Sequence, residues 1–314
     1  MDWFELGEDQ EEEARAVGGR RKTAEDFELT KSQSKYELPT GYLSVSQVNL
    51  YNECPERYRR KYVEGNRTPG SSNLSQGRLV HEVIDRLNKY KISHGGAVPP
   101  AELGQDIISD IGADFFDDVA TWDPRNPSQE HAIHYAREIV TLYTRDLLPR
   151  LDIRAAELEV FGLVNEAVPF LGYIDIVTVG EANKDLEAAD PSLDRRAVKP
   201  GDMIGDFKVT GRNYGKHRVA NSLQLSVYAG LTRTRDVGYY LLIDRSDRNR
   251  EANRSPQIKT HKSTRTDTEI RHAYNVVERT AQAISAGNFP LTNPESWMCD
   301  AKWCPFYAQC RGAA

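Results

Sequence analysis

The chain has 314 residues, 39% hydrophobic and 28% charged, a balance ordinary for a soluble globular protein with one large core or two small ones. No apolar run approaches the roughly 20 residues of a membrane-spanning helix. The opening "MDWFELGEDQEEE" is acidic where a secretory signal is basic and then apolar, so a cytoplasmic protein without membrane contact is expected. In that setting four cysteines read as reduced ligands rather than as two disulfides.

The net charge of −6 is unevenly spread: seven acids lie in residues 1–13, leaving 40 Asp and Glu against 41 Lys and Arg. The bases fall in groups, "ERYRRKY" at 56–62, "GRNYGKHR" at 211–218 and "DRSDRNREANR" at 244–254. Arginine and lysine interleaved with tyrosine suit phosphate contacts and base stacking. Each run alone is as readily a solvated helix face or loop.

Residues 1–40 are polar and without apolar periodicity, which predicts a disordered or loosely attached acidic tail. Order is expected from residue 41 to 314. Ser44 or Ser46 can cap a first helix in which Val48, Tyr51, Pro55 and Tyr58 follow at helical steps. A second helix, "SQGRLVHEVIDRLNKYK", carries a stripe of Leu79, Val83, Ile84 and Leu87. Further helices are predicted over 101–119 and 128–151.

The period then changes. "AELEVFGLV", "VPFLGYIDIVTV" and "MIGDFKVTG" read as strands, with 180–201 as an enlarged polar loop. A helix at "NSLQLSVYAGLTRT", strands at "VGYYLLID" and "PQIKTHKSTR", and a helix over 267–287 with Gly287 as its C-cap follow. The expected fold class is α/β or α+β, a mixed central sheet flanked by helices with a helical insertion.

Chemistry concentrates on the predicted strands. Asp206 and Lys208 in "GDFKVTGR" are two apart and so leave one sheet face; a surface ion pair is the plain alternative. Asp175 sits between Ile174 and Ile176, where a buried carboxylate is costly unless paired or metal-bound. Two such acids on adjacent strands make the oxygen-rich pocket that Mg²⁺ or Mn²⁺ prefers. His81 on the second helix, and Gln224 with Tyr228 four apart on a later one, are unremarkable alone.

Taken in order, Gly77-x-x-x-His81, Gly172-x-Ile174-Asp175, Asp206-x-Lys208 and Gln224-x-x-x-Tyr228 resemble the PD-(D/E)XK nuclease superfamily, and its RecB-like branch in particular. "SVSQVNLYNECPERYRRKY" is similar to that branch's first helix. The resemblance covers about residues 43–312 and implies a metal-dependent DNA exonuclease acting on ends or single strands. It implies that His81, Asp175, Asp206 and the Phe207 carbonyl ligate the divalent ion. Lys208 would serve as base or water-positioning group, and Gln224 and Tyr228 would support the site or contact DNA. The branch's further glutamate is Glu157 or Glu159, on one face of "AELEV", and the residues do not choose between them.

In the iron–sulfur members, similar to exonuclease V and the exonucleases of CRISPR spacer acquisition, one cysteine comes from the first helix and three from the C-terminus. The resemblance therefore implies that Cys54, Cys299, Cys304 and Cys310 hold a 4Fe–4S cluster that staples the termini. Four thiolates also suit structural zinc, and spacing alone does not separate the two. The gaps of four and five residues between the tail cysteines depart from the branch's usual spacing. Protein partners in recombination, replication or CRISPR adaptation would fit such an enzyme. The competing function is a non-catalytic DNA-binding scaffold of the same fold, which would have no need to keep Asp175, Asp206 and Lys208.

Overall fold

The computed structural model describes residues 34–68, 70–124, 126–189, 197–211, 213, 215–243 and 256–312. In chain order the main elements are α1 (Val45–Glu53), α2 (Ser72–Ser93), α3 (Leu103–Ile111), α4 (Gln129–Leu142), β1 (Ile153–Val164), β2 (Val168–Thr178) and α5 (Glu181–Ala189). They continue with β3 (Met203–Thr210), α6 (Leu223–Thr232), β4 (Asp236–Ile243), β5 (Gln257–Thr264), α7 (Asp267–Ser285) and α8 (Tyr307–Arg311). Among the described residues these form two compact units, one of 70–159 with 173–266, the other of 34–68, 160–172 and 267–312.

The strands are ordered β1-β2-β3-β4-β5, with β2–β3 and β4–β5 antiparallel and β3–β4 parallel. A parallel pair needs a crossover, and the chain between β3 and β4 supplies it through α6. The result is the expected mixed sheet flanked by helices. In the first unit the stripe Leu79, Val83, Ile84 and Leu87 of α2 is fully buried, packed with Ile139, Val140 and Tyr143 and with Ile176, Phe207 and Tyr240 from the sheet. Gly205 permits that closeness: a Cβ there would stand 2.6 Å from Tyr240 and 2.8 Å from Ile176. The predicted helix over 101–119 is shorter than expected, giving way after Gly112 to a turn and to Val119–Thr121, which pairs with Gly70–Ser71.

The 180–201 segment is not simply a loop, because α5 occupies its first half; residues 190–196 lie outside the described residues. Its anchor is Arg154 of β1, whose buried guanidinium reaches Asp202 at 2.5 Å and Glu187 of α5 at 2.8 Å. Lys199 also binds Glu187, and Asn183 donates to Asp202. A polar composition hid this helix, since the residues it buries are Asn183 and Glu187, tied into that ion-pair network, rather than an apolar stripe.

In the second unit Ser44, not Ser46, caps α1 by accepting from the Gln47 N–H. The helix stops at Cys54, whose extended backbone (φ −158°, ψ 101°) is forced ahead of Pro55. Tyr51, Tyr58 and Phe289 pack as a ring cluster with centroids 5.7–6.2 Å apart. α7 is followed by Gly287 at φ +66°, the expected cap. Within the predicted tail, Lys35 N–H donates to Ala167 and the Tyr36 hydroxyl to Glu278; residues 1–33 lie outside the described residues. No helix among the described residues is long and apolar enough to cross a membrane.

Candidate metal centre and cysteine pocket

The first unit contains an open cleft of about 770 Å³ lined by Gly77, His81 and Asp85 of α2, Glu157 of β1, Tyr173 of β2, and Phe207 and Lys208 of β3. Ligand atoms of His81, Glu157 and Asp175 all lie within 4.8 Å of one another. Asp175 Oδ2 stands 3.5 Å from His81 Nδ1 and accepts the Phe207 N–H at 2.7 Å. His81 also packs its ring edge to face against Phe207, with centroids 6.4 Å apart, so one strand residue contacts both side chains.

Alternation along β1 would put Glu157 and Glu159 on one face. Glu157 instead has φ +46°, a left-handed backbone that interrupts the alternation. Only Glu157 joins the cluster, whereas Glu159 accepts the Tyr173 hydroxyl at 3.0 Å. Of the two glutamates, the structure brings Glu157 to His81 and Asp175, at a left-handed residue that composition does not reveal.

Asp206 stands beside this group. Its Oδ1 accepts from Lys208 Nζ at 2.9 Å and from Gln224 Nε2 at 2.7 Å. Its Oδ2 is 2.8 Å from the same ammonium, but in a direction unsuited to a hydrogen bond, and is a buried oxygen without one. Lys208 also reaches Gln224 Oε1 at 3.3 Å. Tyr228, one turn beyond Gln224, is buried; burial, then the charges of Asp206 and Asp175, keep its phenol protonated.

The electrostatics describe a site short of positive charge. Burial pushes Asp175 well above the usual carboxylate range, and the Asp206 charge adds to it. Burial, then Asp175 and Asp85, push Glu157 up to about 7. Burial lowers His81, favouring the neutral imidazole that can ligate. Burial also opposes the Lys208 charge, but Asp206 overrides it and lifts the ammonium above its ordinary range. Carboxylates crowded until they prefer protons, one imidazole and an orphaned carboxylate oxygen make a donor set suited to a hard divalent cation such as Mg²⁺ or Mn²⁺.

Asp85 is the cleft residue that the sequence reading missed. It lies one helical turn after His81, is 8% exposed, pairs with Lys89 at 2.6 Å and leaves Oδ1 buried without a hydrogen bond. The i,i+4 spacing from His81 was the available signal.

In the second unit all four cysteines line one cavity of about 170 Å³, together with Arg57, Arg60, Met298 and Phe306. Three residues of the "ERYRRKY" run, Glu56, Arg57 and Arg60, line that cavity. Arg59 and Arg60 pair with Glu56 at 2.7 and 2.8 Å, while the Nε atoms of Arg57 and Arg60 are buried without hydrogen bonds. Burial raises the Cys310 thiol, with the Arg60 charge opposing and Cys54 and Cys304 adding to the rise. Four cysteines lining one cavity, with the Arg57 and Arg60 guanidiniums beside them, fit a thiolate-held metal group. The run at 244–254 lies outside the described residues.

The sequence matches the model of the PD-(D/E)XK nuclease superfamily over residues 42–311, and the chain belongs to that superfamily. No curated protein matches it. Among solved structures it is similar to one titled "Crystal structure of SSO0001", at 12% identity and a TM-score of 0.38, covering 98% of each chain.

Proposed function

We propose that this protein is a divalent-metal-dependent DNA exonuclease of the RecB-like branch, acting on ends or single strands, with a structural 4Fe–4S cluster. The observation that carries the reading is the convergence of His81, Glu157 and Asp175 beside the Asp206–Lys208 pair, in a chain that belongs to a nuclease superfamily. These three side chains would hold Mg²⁺ or Mn²⁺, with Asp206 and the Phe207 carbonyl at the margin of the site. Such an ion supplies Lewis acidity to water and to the phosphodiester.

The protein's own groups do the positioning. Asp206 and Gln224 hold the Lys208 ammonium toward the cleft, where it can orient the attacking water or bind the scissile phosphate as negative charge develops. The buried Tyr228 backs the Gln224 side of that arrangement. The test is cleavage of end-labelled single- and double-stranded DNA with Mg²⁺ or Mn²⁺, using protein prepared without oxygen. Metal-dependent shortening from ends is expected. Binding with intact DNA under both metals would overturn the reading in favour of a scaffold.

Cys54, Cys299, Cys304 and Cys310 would hold the cluster, supported by their shared cavity. Iron and sulfide analysis should find both lost in Cys54→Ser and in Cys299→Ser alike. Full content in Cys54→Ser would remove that ligand, and stoichiometric zinc in the wild type would replace the cluster by a zinc site.

A further inference from the structure

The cysteine-bearing tail exposes two of the chain's four tryptophans. Trp297 is 68% and Trp303 52% exposed, and their rings meet edge to face with centroids 6.1 Å apart at 82°. Leu291 nearby in sequence is 69% exposed. Large side chains of this kind normally lie mostly buried. The flanking turns are fixed by backbone bonds, Cys299 N–H to Ser296 and both Trp303 and Cys304 N–H to Asp300. A pair held this way is a formed surface, and nothing within the described residues covers it.

Charge decides what it fits. Lys302 Nζ lies 4.8 Å from the Trp303 ring centroid. The neighbouring Asp300 carboxylate accepts the Lys302 backbone N–H at 2.7 Å, which leaves the Lys302 side chain out of its hydrogen bonding. Lys302 lies over the exposed indole, and its flexible stem lets the ammonium swing onto a phosphate while a base takes its place on the ring, a pairing of stacking and charge that serves any base. An apolar protein partner would gain from the rings but would have to desolvate the lysine. Duplex DNA keeps its base faces inside the stack and offers only phosphate.

We propose that Trp297, Trp303 and Lys302 form an accessory binding site for unpaired bases of single-stranded DNA, separate from the metal centre. This rests on the DNA-processing reading above, and names a second place where the substrate strand is held.

The experiment titrates a single-stranded thymidine oligonucleotide and a blunt duplex of equal length into the full chain, without added divalent metal, following tryptophan fluorescence and anisotropy. The oligonucleotide should quench the wild-type emission. Trp303→Ala should weaken single-strand binding by about tenfold, from loss of one stacked base, with duplex affinity unchanged and Trp303→Phe restoring most of the loss. Lys302→Glu, which leaves the rings in place, should weaken binding and make the salt dependence shallower by about one counterion. Far-UV circular dichroism and bound metal content establish that each variant is folded. Equal single-strand affinity in wild type, Trp303→Ala and Lys302→Glu would overturn the proposal. So would a partner protein that binds only the wild type while DNA affinity is untouched. Cleavage of a short duplex by the wild type with Mg²⁺ or Mn²⁺ separates the two failures: cleavage keeps the nuclease reading whatever becomes of the stacking site.

Discussion

Replacing Lys208 by alanine tests catalysis and electrostatics together. The Asp206 side chain is only 4% exposed, and the ammonium lies within 2.9 Å of both its carboxylate oxygens. Without Lys208, Asp206 keeps one hydrogen bond from Gln224 and faces the Asp175 carboxylate with no cation between them. Stranding a buried charge costs about 3–5 kcal/mol. Lys208 is itself 34% exposed to the cleft, so solvent screens part of the pair and the lower end, about 3 kcal/mol, is expected. For a chain of 314 residues, with an unfolding entropy of about 2.1 cal/mol/K per residue, that lowers the melting temperature by roughly 4–5 °C in metal-free buffer. Added Mg²⁺ should recover much of the loss by restoring positive charge beside the carboxylates, whereas cleavage should stay abolished. Differential scanning calorimetry with and without Mg²⁺, paired with the end-label assay, reads both effects. An unchanged melting temperature without metal would refute the electrostatic account, and normal cleavage would remove Lys208 from the mechanism.

Glu157→Gln should weaken Mn²⁺ binding by about tenfold or more by calorimetric titration, since it takes a charge from the ion's ligands, while Glu159→Gln should change it little. The metal-free protein should lose stability as pH rises. Glu157 titrates at about 7 when folded against 4.5 in the unfolded chain, so the folded state holds the extra proton and its contribution fades through that window, by up to about 3 kcal/mol. Urea midpoints at pH 5 and pH 8 check this, and saturating Mg²⁺ should flatten the difference. Gly77 lines the cleft, and a Cβ there would meet nothing within 4 Å. Gly77→Ala should therefore stabilise α2 by about 0.5–1 kcal/mol, while Gly77→Leu should block DNA cleavage with Mn²⁺ affinity unchanged.

The fold was legible wherever burial is periodic. The α2 stripe, the alternation through the middle of β2, the apolar start of β3 and the stop at Cys54–Pro55 are all one-dimensional patterns that tertiary packing then uses. Elements stabilised by pairing between distant charges were not legible. α5 depends on Arg154, more than 25 residues upstream, and its own sequence looks like surface loop. At the candidate site, the motif spacing named His81, Asp175, Asp206 and Lys208, which the structure brings together. It could not say that Asp206 is tied chiefly to Lys208 and Gln224 while Glu157 joins His81 and Asp175. That arrangement depends on one residue at positive φ and on which strand faces α2. Asp85 was overlooked because an acid on a charged helix reads as solvated until its burial is known.

The most direct test of the metal centre follows Mn²⁺ binding and DNA cleavage in the same samples of wild type and Asp175→Asn. Asp175 belongs to the three-residue cluster, and its removal leaves the Lys208–Asp206 pair in place. The account predicts that the variant stays folded, loses Mn²⁺ affinity and loses cleavage in parallel, with high Mn²⁺ restoring part of both. An Asp175→Asn protein that binds Mn²⁺ as tightly as wild type and still shortens DNA from its ends would contradict it.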